Sequence, residues 1–164
     1  MSRLKTLGVF ALASIVQFAL ISRIEVFGVS PNIFIPIIIL ITLGFGQFKG
    51  SYLGLFFGLV EDLLFSSVLG IRALIYFVLA YILGFNSHMF NIKDLKTGLL
   101  LTIILTILVN LAYLGLAYFT GTKLDGLMFL KIILIEGFLN ALCYYVLLKI
   151  FRKVFIFPDI IFYR

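Results

Sequence analysis

Residues 31–70 read PNIFIPIIILITLGFGQFKGSYLGLFFGLVEDLLFSSVLG. Two apolar runs, 31–45 and 50–68, flank the short turn Gly46-Gln47-Phe48-Lys49-Gly50. Each run is continuous in its hydrophobicity. A lipid-facing β-barrel strand would alternate over about ten residues, whereas a membrane-spanning helix needs about 20 consecutive apolar residues. Pro31 and Pro36 stand near the start of the first run, where a missing N–H has no intrahelical acceptor to lose. The stretch therefore predicts two antiparallel helices in lipid.

The rest of the chain follows the same pattern. Of its 164 residues 63% are hydrophobic and 12% charged, with a mean hydropathy of +1.25. A soluble domain is about half apolar and a quarter charged, so the polar residues needed to cover a water-facing surface are missing. Further apolar segments fall at 6–22, 72–87, 98–120 and 127–148. Together they predict an all-α integral membrane protein, a six-transmembrane-helix bundle forming one domain over 1–164. The basic start from Met1 to Lys5 resembles a signal peptide. No convincing small-x-small cleavage site precedes Arg23 and many more spans follow, so 6–22 reads as an uncleaved first helix. The tail 154–164 is apolar but interrupted by Pro158, and it reads as an interfacial cytoplasmic segment.

The net charge of +6 comes from short basic clusters at the ends of the apolar runs, the pattern of topology signals rather than of nucleic-acid binding. With the N-terminus inside, Arg3, Lys5, Lys49, Lys93, Lys96, Lys149, Arg152, Lys153 and Arg164 share one side. Arg23, Arg72, Lys123 and Lys131 fall on the other. The bias places both termini in the cytoplasm. Cys143 stands alone and His88 has no second His or Cys nearby, so neither suggests a metal or a cofactor. No GxSxG, HExxH or phosphate-cradling motif occurs, and a nucleophile, base and oxyanion hole do not assemble on any segment.

Four polar or small-residue features remain. Gly46, Gly50, Gly54, Gly58 and Asp62 recur four apart, which puts them on one slowly winding stripe of a helix. Such a stripe lets another backbone approach closely, either a partner protein, a second copy in a homodimer, or this chain's own helices. Glu61 and Asp62 lie about 18 Å along the segment entered at Gly50. An ionised acid there costs about 2.5 to 3.5 kcal/mol on insertion scales. The expectation is an ion pair with Lys131 or Arg72; proton or cation handling is the alternative. Glu136 and Asn140 share a face of the last segment. Thr102, Thr106, Asn110 and Tyr113 line the one before it. These two stripes either fasten helices together or wall a polar cavity for a small ligand.

Pro31-Asn32-Ile33, the Gly46–Gly50 turn, the run from Gly50 to Asp62 and the Leu69-Gly70 pair together resemble the MreD family, the small membrane subunit of the bacterial rod-shape (elongation) machinery. The resemblance extends to length, segment number and segment order, and its motifs fall within 31–84. It implies a multi-pass protein of the bacterial inner membrane, with a fold similar to the substrate-binding (S) subunits of energy-coupling-factor transporters. It further implies a non-catalytic scaffold that binds MreC and supports a class B penicillin-binding protein, RodA and MreB in peptidoglycan synthesis and cell-shape control. The matched positions are Pro31, Gly50, Gly54, Gly58, Asp62 and Gly70, with packing roles. Asn32 stands where the family's pattern has an acid, which puts a charge-based role there in doubt.

The competing reading is a vitamin-binding subunit of such a transporter. Those subunits dock through small residues four apart on their first helix. Here Gly8 is paired at that spacing with Leu12, Ala11 with Ile15, Ala13 with Gln17 and Ser14 with Phe18, and tryptophan is absent. A small channel or proton-coupled transporter would rest on Glu61, Asp62 and Glu136, without the paired repeats and broken helices of that class.

Overall fold

The computed structural model describes residues 15, 17, 25–65, 69–90, 94–119 and 126–154. Ile15 and Gln17 are helical. The remainder of the predicted span 6–22, the bases Arg3, Lys5 and Arg23 that flank it, and the tail beyond Val154 with Arg164 lie outside the described residues. Within the described residues the regular elements are helices, and there is no strand. They are α1 (Phe34–Phe45), α2 (Gln47–Phe65), α3 (Ile71–Phe85), a 3-10 turn (Ser87–Met89), α4 (Leu95–Phe119) and α5 (Gly126–Val154). Ahead of α1, Val26 and Val29 pair their backbones at 3.0 and 3.1 Å across a tight turn.

α1 is apolar on every face, and a helix of that kind belongs in an interior. Each residue from Phe34 to Gly44 is buried. It touches α2, α3, α4 and α5, with α2 and α3 forming one antiparallel hairpin beside it and α4 and α5 a second. The Phe34 ring stacks on Phe57 of α2 at 4.3 Å. At 12 residues α1 is about 18 Å long, shorter than a hydrocarbon core. α4 and α5 are longer, and Leu95–Gly115 and Gly126–Arg152 are apolar enough to cross a membrane.

Helix limits move from the sequence expectation for identifiable reasons. Gly46, at φ 94°, closes α1, and α2 begins at once at Gln47. Asp94 caps α4: its carboxylate accepts from the Thr97 hydroxyl at 2.6 Å and the Lys96 amide at 3.2 Å. That starts α4 at Leu95 instead of 98. The Thr97 hydroxyl, then the Lys96 amide, hold the Asp94 carboxyl below the usual range, so this cap is fully present at neutral pH and is lost only as pH falls through that lowered value. α5 continues past 148 to Val154, because Lys149 and Arg152 can extend their charged ends to the interface while their stems remain on the helix.

The glycine stripe is spent inside the chain. A Cβ on Gly50 would overlap the Thr42 side chain of α1. One on Gly54 would lie 2.7 Å from the Tyr76 carbonyl oxygen, and one on Gly58 would overlap the Ala73 backbone of α3. At the other end of the seam, a Cβ on Gly84 would overlap Gln47. A protein partner seeking this face would find it covered by α1 and α3.

Gly58→Ala is expected to destabilise the fold by about 1–3 kcal/mol or more, since the obstructing atoms are backbone and cannot rotate away. Gly115→Ala meets nothing within 4 Å and should be neutral or stabilising by up to about 1 kcal/mol through helix propensity. Reversible unfolding of the two variants in detergent checks the contrast.

A polar network and its cavity at one end of the bundle

Asp62 ends the glycine stripe on α2, and α3 begins opposite it. Its Oδ2 accepts from the backbone N–H of Gly70 at 2.9 Å, Arg72 at 2.9 Å and Ala73 at 3.3 Å. The first N–H groups of a helix have no intrahelical acceptor, and the local cap, Gly70, has no side chain to offer one. Asp62 therefore caps its neighbour from across the seam, with its charge at the positive end of the α3 dipole. Gly70 adopts φ 94°, a left-handed conformation that glycine takes at little cost.

Glu61, next in sequence, faces inward. Its Oε1 accepts from Asn32 Nδ2 at 2.8 Å and its Oε2 from the Tyr76 hydroxyl at 2.8 Å. Arg72 Nη1 lies 3.5 Å from Oε2, and Arg72 Nε is 4.0 Å from Asp62. The guanidinium also covers the Tyr113 ring of α4 at 4.9 Å. The base beside the acidic pair is thus Arg72. Lys131 is turned to the Phe27 ring, 6.0 Å away.

The polar stripes of α4 and α5 meet. Asn110 Nδ2 donates to Glu136 Oε2 at 2.9 Å, and Asn140 Nδ2 to Thr106 Oγ1 at 3.0 Å. The Thr102 and Thr106 hydroxyls donate back to carbonyls one turn earlier. The residue that joins the two polar groups is Asn32, which sequence reasoning left out of the site. Its N–H donates to Asn140 Oδ1 at 2.7 Å, its Nδ2 reaches Glu61 and also Tyr76 at 2.7 Å, and its Oδ1 accepts from Phe34 N at 3.0 Å. An acid at this position would face Glu61 with like charge; the amide donates to it. Gln17 adds a second clasp on the same entry, bonding Ile33 N–H and the Pro31 carbonyl. The available signal was position: a polar residue between Pro31 and a wholly apolar helix has its backbone and side chain at the bundle's end.

A cavity of about 530 Å³ opens among these groups, with Asn32, Glu61, Arg72, Asn110, Tyr113 and Glu136 on its walls. His88 lies in the 3-10 turn and Cys143 partway along α5, away from it. Among the described residues no three His, Cys, Asp or Glu side chains gather as metal ligands.

An apolar exterior, helices long enough to cross a bilayer and polar groups bonded to one another inside define a helical membrane protein. A family model described as rod shape-determining protein MreD matches residues 3–157, and the chain belongs to the MreD family of cell-shape proteins. No curated protein and no solved structure matches it.

Asp62→Ala should leave three helix-terminal N–H groups without their acceptor, at about 1–3 kcal/mol for the buried donors. The expected signature is local: faster hydrogen exchange at Gly70, Arg72 and Ala73, with the amides of α4 unchanged.

Proposed function

We propose that this protein is a non-catalytic scaffold of the rod complex, crossing the bacterial inner membrane six times with both termini in the cytoplasm. The observation that carries the reading is the family match over residues 3–157. In this reading the chain binds MreC and, through it, supports a class B penicillin-binding protein, RodA and cytoplasmic MreB in peptidoglycan synthesis. The likeness to the S subunits of energy-coupling-factor transporters belongs to the same proposal, as does the single domain over 1–164.

The packing supports a scaffold in a specific way. Both the glycine stripe of α2 and the polar stripe of α4 are engaged within the chain. Partner helices, or a second copy in a homodimer, are therefore left the outward apolar faces. Among the described residues one such face runs along α5, where Leu127, Leu130, Leu134, Phe138, Leu142 and Val146 are exposed. Glu61, Asp62 and Arg72 then serve the fold rather than proton transfer, as Asp62 is tied to backbone N–H groups and Glu61 to Asn32 and Tyr76.

Mild-detergent co-purification from native membranes tests the reading. Recovery of an MreC-like protein with the penicillin-binding protein and RodA is the expected outcome; recovery of ABC-type ATPases and a coupling protein would replace the scaffold with a vitamin transporter subunit. Topology is tested in a Cys143→Ser background with single cysteines and a membrane-impermeant maleimide. Cysteines at 96 and 149 should label only after the membrane is opened, and one at 131 in intact spheroplasts.

A further inference from the structure

Glu136 is bonded on both oxygens. Asn110 Nδ2 donates to Oε2 at 2.9 Å and Asn140 Nδ2 to Oε1 at 3.5 Å. Neither amide can be reversed without loss. Asn110 Nδ2 also serves the Thr106 carbonyl at 3.0 Å, and Asn140 Oδ1 is held by the Asn32 N–H at 2.7 Å. Two N–H donors on two carboxyl oxygens suit an ionised carboxylate, which accepts on both.

Among the described residues that group is in ion-pair contact with no base, and Arg72 acts on it from beyond pairing distance. Arg72 is drawn to Glu61 and Asp62, and Lys131 lies over Phe27. A lone carboxylate at such depth is costly unless a proton, a cation or water answers it. Glu136 lies on the wall of the 530 Å³ cavity, whose ionisable lining among the described residues is Glu25, Glu61 and Glu136 against the single base Arg72, with Tyr76 and Tyr113 beside them. The buried Tyr113 hydroxyl has no hydrogen-bond partner. The volume is that of a small-molecule site, far more than one metal ion fills, and the acids do not converge as a metal-binding group among the described residues.

We propose that this cavity binds a small organic cation, an ammonium or guanidinium, with Glu136 as its anionic anchor and the Tyr113 hydroxyl as a second acceptor. The proposal goes beyond the scaffold reading and stands on the cavity alone, so loss of either leaves the other intact.

The test is equilibrium dialysis of butylguanidinium against the full chain in nanodiscs, with empty nanodiscs of the same lipid as the blank and 1-butanol as the uncharged counterpart. Saturable retention of butylguanidinium above that of butanol is expected, weakened about tenfold or more by Glu136→Gln, as for loss of a hydrogen bond to a charged group. Helix content and gel-filtration profile establish that the variant folds. Should it not fold, the wild-type selectivity decides. Retention equal to that of butanol, no saturable retention, or undiminished retention by a folded Glu136→Gln chain would each overturn the proposal.

Discussion

The contact on which the rest of this fold depends is the seam between α2 and α3. Lipid offers no hydrophobic push between helices, so association there rests on close packing and internal hydrogen bonds. The seam supplies both. Gly54 and Gly58 bring backbone against backbone, and one turn further Asp62 takes the N–H groups that start α3. The two parts are interdependent. A seam one residue out of register would move Asp62 off the helix terminus, leaving three donors and a carboxylate unanswered in a setting without water to replace them. The glycines bring α3 close, and Asp62 fixes where it begins.

With α3 placed, the other polar groups follow. Arg72 and Tyr76 project from its first turns toward Glu61, and Asn32 closes that group while reaching Asn140 on α5. Single interhelical hydrogen bonds in membranes are modest, about 0.6 to 2 kcal/mol each. Asn32 makes three that reach α2, α3 and α5, and its Oδ1 accepts locally from Phe34 N–H at the start of α1. Its contribution is cooperative in origin: ordering one short side chain satisfies groups on several elements that would otherwise be ordered separately.

The helical membrane class was legible because continuous hydrophobicity has few other meanings, and the shared faces of Gly50–Asp62, Thr102–Asn110 and Glu136–Asn140 follow from helix geometry. Azimuth was not legible. Spacing along the chain sets depth, so Arg72 and Lys131 were equal candidates for the acids; only packing turns one toward them and the other to Phe27. Asp62 was read as seeking a charged partner, yet its main donors are backbone N–H groups, which every residue but proline carries and no motif marks. The answering side of the seam was faintly written as Ala73, Ala80 and Gly84 on α3, a spacing of seven and four that any apolar helix can show. Helix α5 outran its apolar run because hydropathy counts Lys149 and Arg152 as exits, while their long stems allow the backbone to stay helical.

The two ends of the bundle differ in kind. Toward the start of α4, Gly98 receives the ring of Tyr144, and toward the end of α3, Gly84 receives Gln47; these are contacts of shape, without slack. Toward the other end, α2 and α3 keep their close seam, and α4 and α5 meet them through side chains around a cavity. Backbone contacts at a glycine have one distance at which they fit, whereas amides, carboxylates and a guanidinium can exchange partners with little change in helix position.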